Sequence, residues 1–230
     1  MRHIEVKEVY FYKKKQLFYF VKTPGWIRWL YKSCVWHISS TDNSIYLTFD
    51  DGPHPVITAF VLDELKKYNA KATFFCIGKN VELFPEVYKR IIDEGHAIGN
   101  HTYHHLNGWK SEDSMYLNDI ENAKKLIDSN LFRPPYGRIT RFQLNQLSKI
   151  RFKLKPIMWS VLSGDFDVNI SKETCRDYVL KNAGNGSIVV FHDSEKASER
   201  MRFALPEVLQ FFSTKGFQFK KISLGTLNND

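Results

Sequence analysis

From about residue 44 onward, short apolar runs alternate with longer amphipathic stretches. IYLTFD (45–50) has the continuous apolar character of a buried strand. VITAFVLDELKKY (56–68) places Val56, Phe60, Leu62 and Leu65 on or near one face of a helix. ATFFCI (72–77) predicts a second strand, followed by a helix through VELFPEVYKRIIDEG that Gly95 can terminate. AIGNH (97–101) predicts a short strand, 113–128 a helix, and LFRPP (131–135) an extended segment, as its two prolines require. Next come a helix over 140–150, a strand over 153–160 and a helix over 171–183, with Ser171 or Thr174 as its N-cap. SIVVFHD (187–193) predicts a strand, 197–214 a long helix stopped by Gly216, and FQFKKI (217–222) the last strand.

These are about seven strand–helix units. Near-continuous apolar strands imply a sheet covered on both faces, which places the chain in the α/β class as a parallel sheet or barrel. The 230 residues suit one such domain. We expect it over 44–224, with 1–43 as a basic, aromatic lead-in. Within that lead-in WIRWLYKSCVW spaces Trp26, Trp29, Leu30 and Trp36 by about three and four, predicting a helix with an aromatic face. The expectation is that this face docks on its own domain, with a membrane surface as the alternative, Lys22, Arg28 and Lys32 then facing anionic lipid.

Charge separates the same two regions. Residues 1–40 hold eight basic residues (Arg2, Lys7, Lys13, Lys14, Lys15, Lys22, Arg28, Lys32) and two acidic ones (Glu5, Glu8), a net +6. The whole chain is +8, so the remaining 190 residues contribute only +2. A solvated leader is the plain reading of such a run, and no nucleic-acid partner is expected. Cys34, Cys76 and Cys175 are widely spaced with no CxxC pair, against both a disulfide framework and a thiolate zinc site. No signal peptide is readable, because the apolar run LFYFV is short and Lys22 interrupts it. With no apolar stretch long enough to span a bilayer, a cytoplasmic location is expected, with peripheral membrane contact by the leader as an alternative.

The polar residues of interest follow strands. TFDDGP (48–53), HTYHH (101–105), RPPYG (133–137), SGDFD (163–167) and the pair His192–Asp193 each sit at or after a predicted strand end. In a parallel barrel all those ends open on one face, where active sites lie. Asp50 and Asp51 point opposite ways if strand geometry continues through them, so they should have distinct jobs. His101 pairs with His105, or nearly as well with His104, on one face if that stretch is helical. Either pair joins Asp51 as a two-histidine, one-carboxylate set, which zinc and iron both tolerate and which leaves positions open for water. His192, at the mouth, is a candidate general acid, with Asp165 a candidate to hold its other nitrogen.

In order and spacing, TFDDGP, HTYHH, RPPYG and VVFHD resemble the successive motifs of the polysaccharide deacetylase family (NodB-homology domain, carbohydrate esterase family four), over about residues 44–222. The resemblance implies a distorted (β/α) barrel and a hydrolase removing acetyl groups from N-acetylated sugars of a chitin-like or peptidoglycan-like polymer. It assigns Asp50 as catalytic base and Asp51, His101 and His105 as metal ligands, leaving His104 without a role. The implied ion is zinc, with cobalt, nickel or iron(II) as alternatives. Arg133 would stand beside the base, Pro135 in the groove wall, and the Tyr136 N–H at the oxyanion. Asp165 would tune His192, which protonates the leaving amine. WSVLSGDF departs from the usual fourth motif at Leu162 and Phe166, and Val190 replaces the usual leucine of the fifth. With Trp159, these side chains would shape the pocket for the acetyl methyl. The competing readings are an O-acetyl esterase on a polymer such as xylan, a deacetylase of a small cytoplasmic amide, and a non-catalytic carbohydrate-binding relative.

Overall fold

The computed structural model describes residues 19–149 and 151–227. The basic residues at positions 2–15 and the end of the predicted 140–150 helix, Ile150, lie outside them. The strands are β1 (Ser44–Asp50), β2 (Thr73–Cys76), β3 (Ala97–Asn100), β4 (Leu131–Phe132), β5 (Lys155–Pro156), β6 (Val161–Leu162), β7 (Ile188–His192) and β8 (Gln218–Phe219). They form a parallel sheet in the order β5-β4-β3-β2-β1-β7-β6, with β8 paired to the start of β1. Helices cover its outer face, and the sheet curls into the expected distorted (β/α) barrel.

Strand β1 lies between β2 and β7 and is buried along its whole length, which is why it reads as a largely apolar run. Its alternate residues divide the core. Ile45, Leu47 and Phe49 pack outward with Val61, Leu62 and Leu65 of α2 (by our numbering the second helix, Ile57–Lys67, after α1, Gly25–Leu30). Tyr46 joins Phe75, Leu131, Ile157 and Ile188 inside the barrel. The register aligns Asp50 with Phe75 of β2 and with His192 of β7, and Asn100 of β3 with Phe132 of β4. Strand ends are therefore level, and the segments that follow them meet on one face.

Strands β5 and β6 are the two ends of the sheet order, and the lead-in pairs with both. Leu162 N–H donates to Val21 O (2.8 Å) and Thr23 N–H to Ser160 O (3.0 Å). Val35 N–H donates to Pro156 O (2.9 Å), and Met158 N–H to Val35 O (2.7 Å). Edge groups that would otherwise stay open are thus covered.

Several element boundaries differ from expectation. Helix α2 starts one residue late, and Val56 is exposed at its start. The helix expected through VELFPEVYKRIIDEG is two, α3 (Gly78–Leu83) and α4 (Pro85–Asp93), because Pro85 has no N–H to continue α3 and begins the next helix at its first position. The 153–160 strand is reduced to β5, and the last strand to β8. Helices α5 (Asp113–Lys124), α6 (Arg141–Leu147), α7 (Lys172–Asn182) and α8 (Glu195–Thr214) fall where the periodicity places them. Ser171, not Thr174, caps α7, accepting from Thr174 N–H. The aromatic leader helix is only α1, and none of its residues is buried, whereas Cys34 and Trp36 beyond it are. Trp26 and Trp29 are largely exposed, whereas Ile27 and Tyr31 pack against the core cluster that holds Trp36.

Candidate active site

Leaving β1, the chain turns through Asp50, Asp51 and Gly52. Asp51 adopts φ 83°, a left-handed conformation, and its carboxylate faces His105 whereas that of Asp50 accepts from Arg133. Six non-glycine residues among those described have positive φ, and four of them (Asp51, Thr102, His105 and Tyr136) lie at this face. Such strain persists only where neighbours hold it, and it concentrates at functional sites. Here the turn is held by Asp193, which accepts from Gly52 N–H (3.0 Å) and from the Thr58 hydroxyl. Asn80 fixes the Asp51 carbonyl (2.8 Å). A side chain at position 52 would start 2.1 Å from Asp193 Oδ2, so glycine is required there.

The HTYHH stretch is not a helix, which corrects the helical-face argument for its histidines. His101 directly follows β3, and left-handed residues at Thr102 and His105 fold the loop back so that His105 returns beside it. Their ring centroids are 5.0 Å apart. His101 Nδ1 faces the Arg133 carbonyl (2.8 Å), which leaves Nε2 for Asp51. His104 turns the other way, its Nδ1 2.6 Å from Asp119 of α5, which also accepts the N–H groups of Tyr103 and His104.

Asp51, His101 and His105 each offer a ligand atom within 4.8 Å of the others. Asp51 Oδ1 lies 3.2 Å from His105 Nε2 and 3.7 Å from His101 Nε2. Two ligands at ~2.1 Å from one tetrahedral zinc stand about 3.4 Å apart, so this spacing suits a single ion. Asp51 Oδ1 is buried and has no hydrogen-bond partner, a costly state for a carboxylate unless a cation supplies the missing interaction. Burial alone would raise the Asp51 pKa, but the surrounding His105, His192 and His101 hold it well below the usual carboxylate range. Burial lowers His101 to about 4, so its ring is neutral and able to donate a lone pair. The donor set therefore fits a divalent cation.

Asp50 is held differently. Arg133, with no exposed surface, donates from one guanidinium nitrogen to Asp50 Oδ1 and Thr48 Oγ1, each at 2.7 Å. Its other nitrogens donate to the Ile157 and Met158 carbonyls, and its guanidinium lies 4.1 Å from the Phe75 ring centroid. A buried arginine with this many partners is a fixed positive charge beside a fixed carboxylate.

Opposite them, Asp165 accepts from His192 N–H through one oxygen and faces its Nδ1 through the other, both at 2.7 Å. Burial would lower the His192 pKa, but Asp165 outweighs it and pushes the imidazole up to about 10. Phe166 meets the same ring edge-on at 5.3 Å. Pro135 is buried at the start of a short turn, Pro135–Gly137. The Tyr136 ring lies 4.6 Å from that of His105, and Trp159 flanks the turn where a side chain at Gly137 would strike it. Val190 is buried on β7, two residues before His192 and so on the same strand face.

The residues expected to carry the chemistry (Asp50, Asp51, His101, His105, Arg133, Asp165 and His192) thus gather at the strand ends, and His104 turns away from them. Asp193, Asp119 and Arg200 went unassigned. Arg200 is buried and donates to the Asp165 carbonyl (2.6 Å). Only Asp193 carried a signal, its place beside His192 at a strand end.

A sequence model of the family described as Polysaccharide deacetylase matches residues 37–154. Two relatives from Bacillus cereus, each named peptidoglycan-N-acetylglucosamine deacetylase, are similar over most of the chain. One is 37% identical over 182 residues, covering 76% of this chain and 65% of the relative. The other is 36% identical over 194 residues, covering 82% and 90%. Among solved structures, a peptidoglycan N-acetylglucosamine deacetylase in complex with an N-oxidanyl-benzamide aligns with TM-score 0.79 at 34% identity, over 87% of this chain and 95% of that one. The chain thus spans about two thirds of one curated relative and nine tenths of the other.

Proposed function

Because the chain belongs to the polysaccharide deacetylase family, we propose that it is a divalent-metal-dependent hydrolase that removes the acetyl group from N-acetylated sugars of an oligo- or polysaccharide. The peptidoglycan type is favoured by the names of the relatives. One observation carries the reading: a buried carboxylate oxygen with no hydrogen-bond partner, flanked by two imidazoles, directly beside a second carboxylate locked to a buried arginine. A pure binding module needs neither.

In this reading Asp51, His101 and His105 would hold zinc, or alternatively cobalt, nickel or iron(II), and a divalent ion there would supply Lewis acidity toward water and the acetyl carbonyl. Asp50, oriented by Arg133, accepts the proton of the attacking water. The Tyr136 N–H donates to the carbonyl oxygen as it gains charge; losing one such donor costs ~10²–10³ in rate. The C–N bond breaks as His192, charged through Asp165, passes its Nε2 proton to the sugar nitrogen. The products are acetate and a free amine. Pro135, Trp159, Phe166 and Val190 shape the acetyl and sugar pocket.

The division at residue 43/44 belongs to this proposal, with the catalytic groups all in 44–224. So does the cytoplasmic location, which cell fractionation tests. No helix among the described residues is long and apolar enough to cross a membrane.

The deciding experiment measures acetate release from defined N-acetylated oligosaccharides, peptidoglycan fragments, O-acetylated xylan and small amides, before and after chelation and zinc restoration. Metal-dependent release from N-acetylated sugars is expected. Release from xylan alone would move the reading to an esterase, and release from small amides alone to the small-substrate alternative. An N-hydroxybenzamide, the ligand type of the similar structure, should inhibit, since its two oxygens chelate divalent ions.

A further inference from the structure

We propose that the face built by residues 19–32 is a docking surface for an anionic lipid bilayer, and that it seats the mouth of the candidate active site against the membrane. Helix α1 buries none of its six residues. Trp26 is 63% exposed, Trp29 67% and Leu30 43%, and the Phe20 ring meets Trp26 edge-on. Exposed tryptophans gathered with aliphatic residues mark an interaction surface, and tryptophan favours the headgroup level of a bilayer.

Charge selects the partner. Lys22, Arg28 and Lys32 are exposed on the same segment, and residues 19–41 contain no aspartate or glutamate. None of the three forms an ion pair with a described carboxylate. In sequence, residues 1–18 add five more cations against Glu5 and Glu8. Lys32 Nζ lies 5.3 Å from the Trp29 ring centroid, and apolar aromatics flanked by cations that no described carboxylate neutralises suit anionic lipid. A second copy of this chain would bring the same positive charge to the contact and be repelled.

An apolar cavity of about 330 Å³ joins this face to the candidate site. Phe20, Trp26, Ile27 and Leu30 line it together with Tyr136 and Trp159. Because the Tyr136 ring lies against His105, the cavity and the metal-ligand cluster share a wall. The lead-in is anchored there by its pairing with β6 and Ile157, so the orientation of the exposed face relative to the site is set by backbone hydrogen bonds. A chain bound to a bilayer through Trp26 and Trp29 would hold the site beside the membrane surface.

The test uses the full chain with phosphatidylcholine vesicles, with and without phosphatidylglycerol, followed by sedimentation and by quenching of tryptophan fluorescence with brominated lipid. Binding is expected only with phosphatidylglycerol, weakening as salt rises. Replacing Lys22, Arg28 and Lys32 together by glutamine should weaken it roughly a hundredfold. Trp26→Ala with Trp29→Ala should abolish most quenching, and unchanged melting curves would show that both variants fold. Equal binding to neutral vesicles, or binding and quenching retained in both variants, would overturn the proposal. So would a concentration-dependent dimer lost in the double tryptophan variant without vesicle binding. Protection of Trp26 and Trp29 from a soluble quencher by N-acetylated oligosaccharide, again without vesicle binding, would reassign the face to the glycan.

Discussion

On one flank of the cleft, Asp51 Oδ1 lies 3.2 Å from His105 Nε2 and 3.7 Å from His101 Nε2 without a hydrogen bond to either. On the other flank, both Asp165 oxygens engage His192, and Arg200 holds the Asp165 carbonyl. The first arrangement is a set of donors converging on one point, while in the second the carboxylate is already satisfied by the imidazole it holds. The difference separates an ion-holding role from a proton-holding one within a single strand-end surface. It also explains why the two histidines shift oppositely: burial dominates at His101, whereas the bonded carboxylate dominates at His192.

The sharpest way to break the comparison is to exchange the losses. His105→Ala should release the ion and take deacetylation to background, while Asp165→Asn should keep the ion and lose ~10²–10⁴ in rate. Metal analysis beside acetate release reads both. If Asp165→Asn lost metal, the two flanks would not be separate devices.

The pH dependence sharpens it further. His192 must be protonated to donate, so the rate should fall as pH rises through about 10, and in Asp165→Asn that limb should move to lower pH. Stability follows the same sign. The His192 pKa is raised over an unfolded reference of about 6.5, so the pair stabilises fully below that value and its contribution is lost as pH rises toward about 10. Melting temperatures across that window should decline less in Asp165→Asn than in the parent chain.

Smaller effects belong to the supports. Gly52→Ala would drive a methyl into Asp193, shifting the Asp51 turn; a loss of ~1–3 kcal/mol in stability and weaker metal binding are expected from denaturation and metal titration. His104→Ala should keep both metal and activity and cost no more than ~1 kcal/mol, because its pairing with Asp119 is half exposed. Metal loss in that variant would move the ligand to His104.

The strand-end clustering was legible because strands end where polar residues interrupt apolar runs, and a parallel barrel gathers such ends without further information. The identity of the clustered residues was therefore readable, but the reason for the histidine pairing was not. The spacing argument left His104 and His105 both open and rested on a helix that does not exist, so only the family resemblance chose His105; Thr102 and His105 bring the ring back through left-handed backbone, which no side-chain pattern announces. Asp119, inside the polar sequence of α5, gave no sign that it holds the loop. The short strands β4, β5 and β6 were hard to delimit, since two-residue strands carry no periodicity. The leader's aromatic spacing did signal a helix, but spacing alone does not say whether that face meets protein or stays exposed.

The central claim, that Asp51, His101 and His105 form one divalent-cation site, is tested most directly by calorimetric zinc titration of the chelated chain and of Asp51→Asn. The account predicts one tight zinc per parent chain and at least a tenfold weaker site in the variant, with ~10–100-fold the usual scale even for groups that only support a ligand. Equal zinc affinity in the two proteins would contradict it.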